Sequence, residues 1–401
     1  MINSICIAGK NKIATEAVKF LLDNYKNLDI YACINKTDNG ENNWQPSYSQ
    51  FCEKNNIKII SLNEAYEITN SIFISLEYDR LVNPKSFKHN NIFNIHFSLL
   101  PSYKGMYTSI LPILNGEKFS GVTLHYIDAG IDTGDIIDQL EFTIPTDINS
   151  SDIYNMYINN SISLFKKNIH QLITNNINSR KQDIINSSYF SKSAIRFDSI
   201  EIDLNKTSYE INNQIRAFSF REYQLPSVFE KKIYKSIILH DSPQGKSGTI
   251  FYEDEFKIII NSIDSKVELH IDQEARLIQA VLNENISILE EIKDSNYPLD
   301  IRTKEGWDIL IIAAYNNKVQ VIDYLLNNLN WDINTCNYKG TSLLMYVMTV
   351  ASKTNDLSIL SKISEYKNLN WSWIDDKNRD VFSYAKEYGN DKIISFINKF
   401  K

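Results

Sequence analysis

The sequence predicts an α/β domain, then a small β-rich domain, then an all-α repeat array. Three observations carry this. Short apolar runs at 4–8, 30–34, 57–60, 71–75 and 92–96 alternate with helical periodicity at 14–24 and 48–55, as in βαβ units around a parallel sheet. Between 187 and 271 the pattern changes to short strands at 199–204, 232–239, 248–252 and 256–260, with one helix at 209–217. From 272 onward, glycine-led apolar helices recur, with Gly306 and Gly340 34 residues apart. The expected domains are therefore 1–186, 187–271 and 272–401.

Each element of the first domain has a local reason. Ala17, Val18, Leu21 and Leu22 lie at helical spacing after the first strand. The runs at 120–127 and 135–142 read as an antiparallel addition to the sheet, and 153–175 as a long amphipathic helix that closes the domain. The first turn, Ala8-Gly9-Lys10-Asn11-Lys12, lacks the Gly-x-Gly-x-x-Gly pattern, which argues against a nicotinamide dinucleotide.

Composition narrows the class. The 401 residues exceed one ordinary core. A hydrophobic content of 43% with 23% charged residues fits a globular protein. The net charge of −7 offers no electrostatic footprint for nucleic acid. The chain opens directly into a strand and has no run of about 18 apolar residues, so neither a secretory signal nor a membrane span is predicted. Cys6, Cys33, Cys52 and Cys336 lack metal-ligand spacing and read as reduced cysteines of a cytoplasmic protein. No metal is expected.

Two blocks carry chemistry. The first is Asn94-Ile95-His96-Phe97-Ser98-Leu99-Leu100-Pro101. The second runs from Gly121-Val122-Thr123 to Ala129-Gly130-Ile131-Asp132-Thr133-Gly134-Asp135. Asn94 and His96, at i and i+2 of a strand, point to one face. A side-chain amide can donate to an oxyanion, and such a donor is worth about 3–4 kcal/mol. An imidazole titrates near neutrality and moves protons. Asp132, on a glycine-rich loop, can orient that imidazole, raise its pKa and relay the proton. His125 reads as a packed strand residue.

These blocks resemble the active-site signature of the formyltransferases that use 10-formyltetrahydrofolate. The resemblance implies a Rossmann-like formyltransferase catalytic domain with Asn94, His96 and Asp132 as its catalytic residues. It implies a folate held largely by backbone groups of Leu76, Glu77 and Tyr78 and of Ile127, Asp128, Gly130 and Asp135. The β-rich domain resembles the appendage of nucleotide-sugar formyltransferases. On the acceptor side the resemblance points to Lys10, Ser102, Tyr103 and Lys104, and to Arg216, Phe218, Arg221 and Tyr223 beside the nucleotide. Ser102 and Lys104 stand where the family usually has Lys and Arg, which weakens any anion contact there.

The third region resembles ankyrin repeats. Gly306-Trp307-Asp308-Ile309-Leu310 and Gly340-Thr341-Ser342-Leu343-Leu344 match the turn and first helix, and 378–385 is a degenerate third copy. The segment 276–292 reads as a capping helix pair, and the Thr-Pro of the repeat is replaced in every copy. A formyltransferase with such an appendage resembles those acting on dTDP-linked 3-amino-3,6-dideoxyhexoses for surface polysaccharide such as O-antigen. The expected ligands are 10-formyltetrahydrofolate and a dTDP-amino sugar. Lys304, Trp307 and Tyr338 are candidates for a second nucleotide-sugar site, and a homodimer is expected. The alternatives are a 4-amino sugar acceptor, or a non-catalytic ankyrin adaptor carrying a decayed catalytic domain.

Overall fold

The computed structural model describes residues 2–401, apart from the side chain of Ser199. They fall into two compact units, 1–41 with 45–271, and 42–44 with 272–401.

The first unit is built on a seven-stranded sheet. Its first strands are β1 (Ser4–Gly9), β2 (Asp29–Ile34), β3 (Lys58–Ile59), β4 (Ser71–Leu76) and β5 (Ile92–His96). After the two-residue β6 (Lys104–Gly105) come β7 (Phe119–Tyr126) and β8 (Ile136–Thr143). The sheet order is β3-β2-β1-β4-β5-β7-β8, parallel as far as β5 and antiparallel from there. Every residue of β1 and β4 is buried, as expected for central strands covered on both faces. The helices are α1 (Asn11–Asn24), α2 (Tyr48–Lys54), α3 (Leu62–Glu67), the single turn α4 (Leu111–Leu114) and α5 (Ser150–Ile173). A full capping box at Ser61 and Glu64 starts α3, a helix the apolar periodicity alone did not reveal. Asn149 and Asp152 form the corresponding box on α5.

The chain then pairs β9 (Tyr189–Phe190) in parallel with β6. Helix α6 (Ser208–Phe218) precedes a five-stranded antiparallel sheet of β10 (Ser227–Val228), β11 (Lys231–Ile238), β12 (Ile250–Glu253), β13 (Lys257–Asn261) and β14 (Lys266–Ile271). Strand β14 is an addition to the expected strands; Val267, Leu269 and Ile271 alternate with Lys266, Glu268 and His270, the period-2 pattern of a strand with one face on the core. Helix α6 packs against both α4 and α5 and against β11, so the β-rich part and the α/β part cluster as one unit.

The expected strand at 199–204 does not form; 200–204 is irregular. Its apolar alternation is real, since Ile202 and Leu204 pack on the core of the second sheet. No strand partners it, because side chains satisfy its backbone. The Asp203 amide donates to Gln214 Oε1 at 2.9 Å, and Gln214 Nε2 donates to the Asp203 carbonyl at 3.1 Å.

The second unit is all α: α7 (Glu274–Leu282), α8 (Ile286–Asp294), α9 (Ile309–Tyr315), α10 (Val319–Asp323, continued as a π turn over Tyr324–Asn328), α11 (Leu343–Thr354), α12 (Ser358–Ile363), α13 (Val381–Tyr388) and α14 (Asp391–Ile397). Asp308, Ser342 and Asp380 cap α9, α11 and α13 with their side-chain oxygens. Any short oxygen-bearing residue can accept the free amides of a first turn. Loss of the repeat's Thr-Pro therefore leaves the helix start intact. Among the described residues, no helix is long and apolar enough to cross a membrane.

Candidate active site

The site begins with strand register. Residue 94 of β5 lies opposite residue 125 of antiparallel β7, and residue 96 opposite 123. Asn94 and His96 thus share a face, and His125 is brought against Asn94. Asn94 Nδ2 is 3.1 Å from His125 Nε2. His125 Nδ1 lies 2.7 Å from the Tyr126 carbonyl, which can only accept. That contact places the ring proton on Nδ1 and leaves Nε2 to accept from the Asn94 amide. Burial pushes the His125 pKa down to about 4, against the opposing pull of Asp132, so the ring stays neutral and keeps its acceptor. Sequence reasoning gave His125 only a packing role. The missed signal was the register itself, which pairs it with Asn94.

Asp132 reaches the same point from the loop after β7. Its Oδ1 is 3.4 Å from Asn94 Nδ2 and 3.7 Å from His125 Nε2; its Oδ2 is 3.5 Å from His96 Nδ1 and accepts the Gly105 amide at 2.8 Å. Its backbone is left-handed (φ 54°), which Asp tolerates better than most residues. Gln182 Nε2 holds its carbonyl at 2.8 Å. Gly134 lets this loop close: a Cβ there would fall 1.9 Å from the Tyr126 carbonyl oxygen. The other side of His96 is fixed by Nε2, 2.8 Å from the Tyr103 carbonyl, so Nε2 carries a proton. Any proton on Nδ1 lies between the ring and the carboxylate.

The Ser-Leu-Leu-Pro extension is a clamp. Thr123 Oγ1 donates to the Ser98 carbonyl at 2.6 Å and accepts the Leu100 amide at 3.1 Å. Gln139 Nε2 donates to that hydroxyl and to the Leu100 carbonyl. The Leu100–Pro101 bond is cis. The two sequence blocks are therefore bound to each other beneath the site.

Above them opens a cavity of about 690 Å³. Asn94, His96, His125 and Asp132 line it, with Lys10, Glu77, Tyr78, Ile127, Asp128 and Gly130. Leu81, Val82, Phe97 and Ile131 add apolar wall. A cleft of this size, with convergent polar groups beside an apolar wall, suits a folate-sized ligand. Two expected folate residues do not line this cavity. Leu76 is fully buried in the sheet, and Asp135 lies outside the lining, where its carbonyl accepts the Tyr126 amide at 3.0 Å.

Most of the expected acceptor residues are committed elsewhere. The return segment at 186–190 covers 102–105. Ser102 Oγ donates to the Asn186 carbonyl, Lys104 Nζ to Ser187 Oγ at 3.0 Å, and Lys104 is buried. The Tyr103 hydroxyl donates to Glu117 at 2.6 Å while its ring stacks on Phe190. Arg216 is also buried, donating to the carbonyls of Pro145 and Ile148 and to Asn213 Oδ1, so it locks a loop to α6. Phe218 is buried, and Arg221 does not line the main cavity. Tyr223 stays exposed and lines an apolar cavity of about 480 Å³ with Tyr107, Tyr154, Phe197 and Phe220. In the repeats, Trp307 is half-buried with its ring near those of Tyr315 and Tyr346, Tyr338 lies against Gly306, and Lys304 is exposed.

With this geometry established, comparison with known proteins places the chain. Residues 57–168 match the formyl transferase family model and 277–361 the ankyrin repeat model. The crystal structure of WlaRD, a sugar 3N-formyl transferase with dTDP and 5-N-formyl-THF, matches at 46% identity with a TM-score of 0.64. The match spans 68% of this chain and 98% of that one. The chain belongs to the sugar N-formyltransferases. An N-formyltransferase from Helicobacter canadensis, in complex with folinic acid and dTDP-3-aminofucose, is similar at 45% identity, TM-score 0.63 and 99% of its length. Methionyl-tRNA formyltransferases are more distant. That of Clostridium acetobutylicum is 25% identical over 66% of this chain and 89% of its own length. That of Clostridium novyi is 31% identical, with the chain spanning 51% of its length. This formyltransferase adds the ankyrin unit to a catalytic part of the length seen in the two sugar-modifying structures.

Proposed function

We propose that this formyltransferase transfers the formyl group of 10-formyltetrahydrofolate to the 3-amine of a dTDP-linked 3-amino-3,6-dideoxyhexose destined for surface polysaccharide. The supporting observation is the convergence of Asn94, His96, His125 and Asp132 on one cavity wall, in a chain 45–46% identical to two sugar-modifying relatives. The folate supplies an activated formyl carbon. The protein's own groups do the rest. Asn94 has two amide protons. His125 accepts one at 3.1 Å and Asp132 Oδ1 the other at 3.4 Å; exchanging the longer contact lets that proton serve the oxygen of the tetrahedral intermediate while His125 keeps the amide oriented. His96 accepts at Nδ1 the proton the amine loses, since Nε2 is tied to the Tyr103 carbonyl, and returns it to the folate nitrogen as that nitrogen's bond to the formyl carbon breaks; Asp132 stabilises the charged ring and holds its orientation. Asp132 is itself tied to Gly105, so the base sits on rigid elements.

The apolar cavity beside Tyr223 supports a pyrimidine base, for which aromatic walls offer stacking. Lys10, on the main cavity wall, supports the adjoining pyrophosphate. The net charge of −7 favours a small acceptor over a polyanionic tRNA. The test is a panel of dTDP- and UDP-linked 3-amino and 4-amino sugars, followed by tetrahydrofolate release. Turnover confined to dTDP-3-amino sugars supports the reading; preferred 4-amino turnover replaces the acceptor. Silence with all of them leaves the adaptor alternative. The exposed Lys304 beside Trp307 and Tyr338 also keeps a second nucleotide-sugar site on the repeats as a separate proposal, tested by calorimetry of Trp307→Ala with dTDP-sugar.

A further inference from the structure

One half-buried carboxylate, Glu77, lies on the cavity wall outside the catalytic set. Strands β1 and β4 are neighbours, with Gly9 opposite Leu76, and β4 pairs with β5 so that Leu76 lies opposite Ile95. The next residues, Lys10 and Glu77, therefore stand side by side past the strand ends, with Glu77 across from His96. The chain leaves β1 toward β2 on one side and returns to β4 on the other, so this is the switch point of the sheet, where open α/β sheets bind ligands. Glu77 is left-handed (φ 58°), and its carbonyl accepts from Asn35 Nδ2 at 2.9 Å. That conformation turns its side chain to the cavity that the catalytic groups line.

The carboxylate is under-satisfied. The Tyr154 hydroxyl, with one proton, stands 2.9 Å from both oxygens, and Asn11 adds a donor. A carboxylate has about four acceptor positions. Lys10 acts on it electrostatically, yet burial still raises its pKa to about 7. A half-buried carboxylate with spare acceptors facing a ligand cavity is placed to accept donors from the ligand.

We propose that Glu77 recognises the amino sugar, its two carboxylate oxygens accepting from the amine and from the neighbouring ring hydroxyl. A vicinal amino alcohol presents two donors at the spacing of one carboxylate. In this role Glu77 selects the sugar and presents its amine to the catalytic wall; the nucleotide and the folate do not depend on it. The inference rests on the proposed substrate class.

Calorimetry on the full chain tests it, with dTDP, 5-formyltetrahydrofolate and dTDP-3-amino-3,6-dideoxygalactose as ligands, at a pH where Glu77 is ionised. Wild type should bind the amino sugar more tightly than dTDP. Glu77→Gln, which keeps the side-chain shape, should weaken amino-sugar binding about ten- to hundredfold. Binding of dTDP and of the folate should not weaken. Equal weakening of dTDP, weakened folate binding, or no weakening at all overturns the role. The wild-type arm stands even where the variant folds poorly: an amino sugar bound no better than dTDP also overturns it. Wild type that binds the amino sugar but never formylates it leaves Glu77 in place and removes the proposed reaction.

Discussion

Replacing Asp132 with asparagine changes one side-chain oxygen to an amide nitrogen and tests the proposed centre with little else disturbed. Asparagine tolerates the left-handed backbone at this position, so the loop should keep its path. The hydrogen bonding cannot survive intact. One oxygen of Asp132 accepts from Gly105 and faces His96; the other faces Asn94 and His125. An amide that keeps its oxygen toward Gly105 points a donor at the Asn94 donor. Flipped, it points a donor at the Gly105 amide. Either way one buried donor loses its acceptor, at a cost of about 1–3 kcal/mol in stability. The catalytic loss is larger. Without the carboxylate, the imidazolium formed at His96 has no counter-charge, and general-base assistance worth about 10²–10⁴ in rate is removed. That corresponds to about 3–5 kcal/mol of barrier. The assay is tetrahydrofolate release under saturating donor and acceptor, with thermal unfolding run in parallel. Asp132→Asn should lose at least about a hundredfold in kcat while its melting temperature falls only by a few degrees. Turnover within about threefold of wild type would refute the reasoning, because the carboxylate would then have no part in proton transfer.

Three further outcomes follow from the geometry. His125→Phe fills the same space but removes the acceptor that fixes Asn94, so kcat should fall about tenfold or more with folate binding nearly unchanged, read by steady-state kinetics and calorimetry. Arg216→Ala strands the carbonyls of Pro145 and Ile148 and the Asn213 oxygen. It should destabilise the chain by about 2–4 kcal/mol in urea, with the KM for the sugar nucleotide unaltered; a selective rise in that KM would restore the expected nucleotide contact. Glu77 sets a pH dependence of stability. Its pKa rises from 4.5 to about 7 on folding, because burial disfavours the charge. The folded state then binds more protons than the unfolded state between those values, so wild type loses stability as pH rises through that window. Relative to Glu77→Gln the loss should reach roughly 3 kcal/mol above neutrality, and a flat difference curve from denaturant titrations would contradict it.

The sequence by itself determined the local chemistry and the periodicities. Asn94 and His96 two residues apart on an apolar strand had to share a face. The Gly130 and Gly134 loop had to bend sharply, and glycine-led helices about 34 residues apart had to stack as repeats. These follow from backbone geometry over a few residues, which a linear text carries. Only the tertiary structure decided who meets whom over long separations. The pairing of Asn94 with His125 is set by antiparallel register across an intervening loop. The segment at 186–190 takes up Ser102, Tyr103 and Lys104, which by residue type read as a ligand surface. Glu77 becomes a half-buried carboxylate on the cavity wall only because β4 ends beside β1 and α5 brings Tyr154 across it. The strand expected at 199–204 failed for the same reason: its alternation is sound, yet no neighbouring strand offers it hydrogen bonds. Local periodicity fixes which face an apolar residue shows. Which polar atom satisfies another across the fold is decided by packing.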